Sequence, residues 1–122
     1  MTAALYDLLF TFAWCLSLTV AAELIFALIC GIRGRRDLLL VALVNVITNP
    51  WVVFLNRFAA QPSDHPTAVL LLLEAGAIAA EALIYRRYAL TIKRCWLFSA
   101  GANAFSVFIG QALGYILLAA LR

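Results

Sequence analysis

Residues 5–32 read LYDLLFTFAWCLSLTVAAELIFALICGI, and Asp7 and Glu23 are the only charged residues in that run. A bilayer core is crossed by about 20 apolar residues in a helix. This stretch is longer than that, and it is apolar on every side rather than along one stripe. A helix of that kind is solvated by lipid or by a very large core. The chain has 122 residues, so a very large core is not on offer. Three further stretches of the same kind follow, from about Leu38 to Leu55, Ala68 to Tyr88 and Trp96 to Leu121. The sequence therefore predicts an all-α, polytopic membrane protein of four transmembrane helices, with residues 1–122 forming one transmembrane domain.

Composition agrees. The chain is 66% apolar and 12% charged, about half the charged share of an average soluble domain. The connections are short. The longest, NRFAAQPSDHP, carries Pro62, Ser63, Asp64 and Pro66, which favour turns. Cys15, Cys30 and Cys95 are odd in number and scattered. They form no CxxC pair and read as small packing residues. The N-terminal stretch has no basic n-region, and its apolar run is too long for a signal-peptide core, so it is expected to be an uncleaved anchor.

The net charge of +3 matters less than where the charges lie. Arg33, Arg35 and Arg36 sit in the first connection, and Arg86, Arg87, Lys93 and Arg94 sit around the third. In a four-helix chain these two connections share one side. The positive-inside rule makes that side cytoplasmic and puts both termini outside. Tyr85, Tyr88 and Trp96 fall where an interfacial aromatic belt is expected. The expected location is a bacterial inner (plasma) membrane. The bilayer is the first partner, with a homodimer or a membrane-protein partner expected beside it. Basic residues confined to membrane flanks give no reason to expect nucleic acid.

The chain resembles itself at an offset of 58 residues. Ala21, Ala22 and Glu23 fall on Ala79, Ala80 and Glu81; Arg36 falls on Arg94; Asn45 falls on Asn103; Thr48 falls on Ser106. The matches include the rare polar residues of the apolar segments. They predict two parallel helical-hairpin repeats, about 5–59 and 66–121, related by a pseudo-two-fold axis along the membrane normal.

At 1.5 Å of rise per residue, Glu23 and Glu81 lie about 13 Å from the basic end of their helices, and Asn45 and Asn103 about 10 Å. Two carboxyls and two carboxamides thus share a level near the midplane. Thr48, Asn49 and Ser106 follow on the same faces. Glu74, two turns from Glu81, and Asn49 mark an access route from the side of the termini. Pro50 frees the carbonyl of Val46 next to Asn45. Ala102, Ser106, Gly110 and Gly114 form a small-residue stripe that allows close helix approach, within the chain or against a second copy.

Glu23, Glu74 and Glu81 have no Lys, Arg or His at their depth, since the lone His65 lies in a loop. A buried carboxylate without a partner is costly, so each is protonated, hydrated or bound to a cation. Two carboxyls in one site disfavour double ionisation. Oxygen ligands suit a hard cation such as Mg²⁺, Ca²⁺, Mn²⁺ or Na⁺. The reading is a small transporter or channel whose site is Glu23, Glu81, Asn45, Asn103, Thr48 and Ser106, with Glu23 and Glu81 as ligands of any metal. The alternative is a non-catalytic structural or assembly subunit of a larger membrane complex. An enzyme using the Glu pair as acid and base ranks last, because the chain shows no His cluster and no recognisable nucleophile. The orientation has a direct test. A reporter fused after Arg122 is expected to be active only when exported, and activity of a cytoplasm-dependent reporter there reverses the assignment.

Overall fold

The computed structural model describes residues 2–59 and 65–122. Four helices account for nearly all of them: α1 (Ala3–Ile29), α2 (Arg35–Ala59), α3 (Pro66–Tyr88) and α4 (Cys95–Ala120). All four are long and apolar enough to cross a membrane. No strand occurs among the described residues. The turn-forming residues Pro62, Ser63 and Asp64 lie outside the described residues.

The helices form a square. α1 packs on α2 and α4, and α3 packs on α2 and α4, while the diagonals α1–α3 and α2–α4 stay apart. The axis of the square is therefore filled by side chains alone. Large apolar residues point away from it: Phe10, Trp14, Trp51, Leu72, Phe108 and Tyr115 are all exposed. In water such a surface would be untenable; in lipid it is the solvated face. Thr11 and Ser17 meet the same constraint by hydrogen bonding the carbonyl one turn back, Asp7 at 2.8 Å and Ala13 at 2.7 Å.

Toward the end that carries the basic connections, the axis is closed by an apolar cluster of Ala27, Ile32, Val41, Val44, Tyr85, Ile92 and Phe98. Tyr85 is fully buried and stands edge-on to Phe98, with ring centroids 5.3 Å apart. The position 58 residues before it, Ala27, is also fully buried. A small residue on one side of the axis leaves room for a single large ring from the other.

The two basic connections are built differently. After α1, the N–H of Gly31 donates to Leu28 O at 3.0 Å and that of Ile32 to Ala27 O at 2.9 Å. This is a Schellman ending, with Gly31 at φ 85°. Only glycine takes that conformation without strain, so the sequence Cys30-Gly31-Ile32 closes its own helix. After α3 there is no glycine. Ala89 is extended, and the chain is held instead by Asp37 in the first turn of α2. Its carboxylate accepts from Leu90 N at 3.0 Å, Thr91 N at 2.7 Å and the Thr91 hydroxyl.

The small-residue stripe of α4 faces inward over part of its length. Ala102 is fully buried, and a Cβ at Gly110 would lie 3.8 Å from Leu18 on α1. Gly114 meets nothing nearby. The closest approach is at Gly101, where a Cβ would come within 2.7 Å of the Phe26 ring. Pro50 sits inside a continuous α2. Val46, whose carbonyl it frees, is on the exposed side of that helix and away from the axis.

The Asp37 clasp generates a prediction. Asp37→Asn keeps the shape but removes one acceptor and turns an amide N–H toward the loop. Amide hydrogen exchange at Leu90 and Thr91 should accelerate, with Gly31 and Ile32 unchanged, and stability should fall by about 1–3 kcal/mol. Unchanged exchange at both loops would mean that the clasp contributes nothing.

A carboxylate and carboxamide layer at the axis

Glu23, Glu81, Asn45 and Asn103 are all buried. Each asparagine lies one helix along from a glutamate and reaches it across a hairpin. Asn45 Nδ2 on α2 donates to Glu23 Oε2 on α1 at 2.7 Å. Asn103 Nδ2 on α4 donates to Glu81 Oε2 on α3 at 2.5 Å. Each amide also donates to the carbonyl one turn back on its own helix, Val41 at 3.0 Å and Ser99 at 2.9 Å. A carbonyl oxygen accepts only, so this second bond fixes which end of the amide faces the carboxyl. Both carboxamides therefore present donors, not oxygens, to their glutamates.

The surroundings of the two glutamates then diverge. Glu81 accepts from three side chains. Thr48 Oγ1 lies 2.8 Å from its Oε1, while Ser99 Oγ lies 3.1 Å and Asn103 Nδ2 2.5 Å from its Oε2. Glu23 accepts from Asn45 alone, and its Oε1 is buried without a partner among the described residues. The Tyr85 hydroxyl is buried without a partner too.

Thr48 and Ser99 have a further property. Thr48 Oγ1 also lies 3.0 Å from Val44 O, and Ser99 Oγ lies 2.9 Å from Ile78 O. Each hydroxyl thus has one proton and two acceptors. When Glu81 is ionised, both protons can point at it. When Glu81 carries a proton, one hydroxyl can turn to its carbonyl and accept from the carboxyl instead. The network stays satisfied in either state.

A cavity of about 200 Å³ reaches this layer. Its floor holds Glu81, Asn45, Asn103 and Thr48, and its walls include Thr19, Asn49, Glu74, Ser106 and Gly110. The walls extend along the helix halves that carry the termini, and the Tyr85 cluster lies on the other side of the floor. Glu23 is not among the lining residues; it stands behind Asn45. Of the residues singled out from the sequence, Glu81, Asn45, Asn103, Thr48, Ser106, Glu74 and Asn49 line one cavity. Ser106 turns its hydroxyl to Asn103 O at 2.9 Å rather than to a glutamate. Half-buried Asn49 leaves its Nδ2 without a partner among the described residues.

Sequence reasoning passed over Ser99, Tyr85 and Asp37 as parts of a polar framework. Ser99 is offset by four residues from Asn103, which marks one helix face and was the available signal. Among the described residues no group of three or more His, Cys, Asp or Glu side chains is placed to hold a metal ion. No protein-family model, curated protein or solved structure matches the chain.

The inter-helix and intra-helix hydroxyls separate in a stability measurement. Thr48→Val removes a donor that links α2 to Glu81 and should cost about 1–3 kcal/mol in a reversible unfolding assay in bicelles. Ser106→Ala removes only a bond within α4 and should cost less than about 1 kcal/mol. Equal costs would show that the Thr48–Glu81 bond does not hold the helices together.

Proposed function

We propose that the chain is a small proton-coupled membrane transporter for a small cationic solute. Glu81 is its exchanging carboxyl, and Glu23 is a second, deeper proton carrier. The observation that carries this reading is the pair of switchable hydroxyls on Glu81. A carboxyl meant only to fix two helices needs donors. One meant to take up and release a proton needs neighbours that reverse their role, and Thr48 and Ser99 each have the second acceptor that permits it.

The cavity supports the solute class. Among the described residues its lining includes Glu74 and Glu81 and no Lys, Arg or His, so its field favours cations. At about 200 Å³ it lies below the roughly 300–1,000 Å³ of ordinary ligand pockets, which suits a solute of a few heavy atoms. Proton exchange is favoured over a Mg²⁺ or Ca²⁺ site because both carboxamides turn N–H groups toward the carboxyls. Those cations need six or more oxygens.

In this mechanism a cation enters along Glu74 and meets ionised Glu81. Its charge replaces that of the proton that has left. Release of the cation lets Glu81 take a proton back, and one hydroxyl turns to its carbonyl. Glu23, behind Asn45, keeps a proton while Glu81 is charged, so the pair is never doubly ionised in the absence of a cation. The Tyr85 and Phe98 rings separate the layer from the basic end and act as the closed gate of this state. We place the basic end in the cytoplasm of a bacterial inner membrane, with the cavity facing outward, and treat the two hairpins as parallel repeats.

Reconstituted vesicles test the reading. A pH gradient should drive uptake of methylammonium or Na⁺. Glu81→Gln should abolish it, Glu23→Gln should lower it at least tenfold, and Glu74→Gln should slow it by a smaller factor. All three variants should remain monodisperse and helical. If no ion or pH gradient drives flux through the unmodified protein, the transporter reading fails.

A further inference from the structure

The basic end carries a second kind of site. Two cavities, about 360 Å³ and about 410 Å³, lie beside the turn into α4 and share Lys93, Arg94 and Leu97. The first continues between the ends of α1 and α4 along Phe26, Ile32 and Phe98. The second adds Arg86 and Trp96. Neither has an acidic residue among its described lining residues.

We propose that this crevice binds one anionic phospholipid, its phosphate held by Lys93 and Arg94 and one acyl chain lying along Phe26 and Leu97.

Charge comes first. Lys93, Arg94 and Arg86 are exposed, and no ion pair joins them to a carboxylate among the described residues. Asp37, which holds the same turn, has both its oxygens taken by Leu90 and Thr91. The three cations are thus uncompensated, and an arginine beside a lysine suits a phosphate, by a forked and a point contact. The apolar wall is also built rather than incidental. The Phe26 ring is seated over Gly101, with Phe98 at 5.7 Å and Phe105 at 5.6 Å between ring centroids. A free phosphate would have no use for that wall. The site further lies at headgroup depth, where the membrane-spanning helices give way to the basic loop, and Trp96 marks the level. Basic pockets between helices at this level are the usual form of anionic headgroup sites.

Trp96 supplies the readout. Trp14 and Trp51 are exposed, so W14F/W51F leaves Trp96 as the single tryptophan, excited selectively at the red edge of indole absorption. The full chain is placed in phosphatidylcholine nanodiscs with increasing brominated phosphatidylglycerol, or with brominated phosphatidylcholine as the reference. Quenching should favour the anionic lipid. Each of K93Q and R94Q should weaken that preference about fivefold, and the double variant about 25-fold. The charge-preserving exchange K93R/R94K should retain most of it, which separates loss of charge from loss of fold. Leu97→Asn should weaken quenching by both lipids. Equal quenching by the two lipids, or an anionic preference that survives K93Q/R94Q and vanishes in R35Q/R36Q, overturns the assignment. Displacement of the brominated lipid by millimolar inorganic phosphate overturns it in favour of a soluble anion.

Discussion

Hydrocarbon offers no hydrogen bonds, and this single deficit organises the molecule. Backbone groups answer it by forming helices. Side chains answer it one at a time. Thr11 and Ser17 turn back on their own helix, while Asn45, Asn103, Thr48 and Ser99 reach carboxyls or carbonyls on a neighbouring helix. Because diagonal helices do not meet, the axis is filled by side chains that bond or pack between neighbouring helices. The polar layer therefore joins neighbouring helices through hydrogen bonds to two buried carboxyls.

The two hairpins share a core of chemistry and differ around it. Each has an asparagine that donates to a glutamate and to a carbonyl one turn back. Beyond that, Glu81 has two hydroxyl neighbours and Glu23 has none; Val41 stands where the other hairpin has Ser99, and Ala27 where it has Tyr85. A fully buried alanine and a fully buried tyrosine thus occupy matching positions, and the two carboxyls have unlike surroundings.

Much of this was legible in the sequence. Four apolar runs of bilayer length specified four spanning helices, since little but length and polarity decides that question. The offset of 58 residues pairs Glu23 with Glu81 and Asn45 with Asn103, and in each hairpin the asparagine does bond the glutamate. What remained hidden depended on azimuth and on partners. Depth along a helix follows from counting, but whether Thr48 bonds its own hairpin or the next depends on how the helices turn. That is why Thr48 meets Glu81 while Ser106 meets only Asn103. Counting gives Glu23 and Glu81 the same depth, yet of the two only Glu81 borders the cavity, whose wall at Glu23 is the asparagine that bonds it. Asp37 reads in the sequence as an ordinary first-turn acid, and nothing local ties it to residues 90 and 91. Pro50, which looks disruptive, leaves α2 continuous and its freed carbonyl remote from the axis.

The contrast between the two basic turns bears on how the protein comes into being in its membrane. The turn after α1 is finished as soon as residue 32 exists, because every bond in it is made within six residues. The turn after α3 has no such independence: its amides wait for a carboxylate more than fifty positions earlier in the chain. Chain growth runs in the favourable direction, since Asp37 is already in place when Leu90 and Thr91 emerge. The first turn is thus held by its own residues alone, whereas the second is held by the hairpin that precedes it.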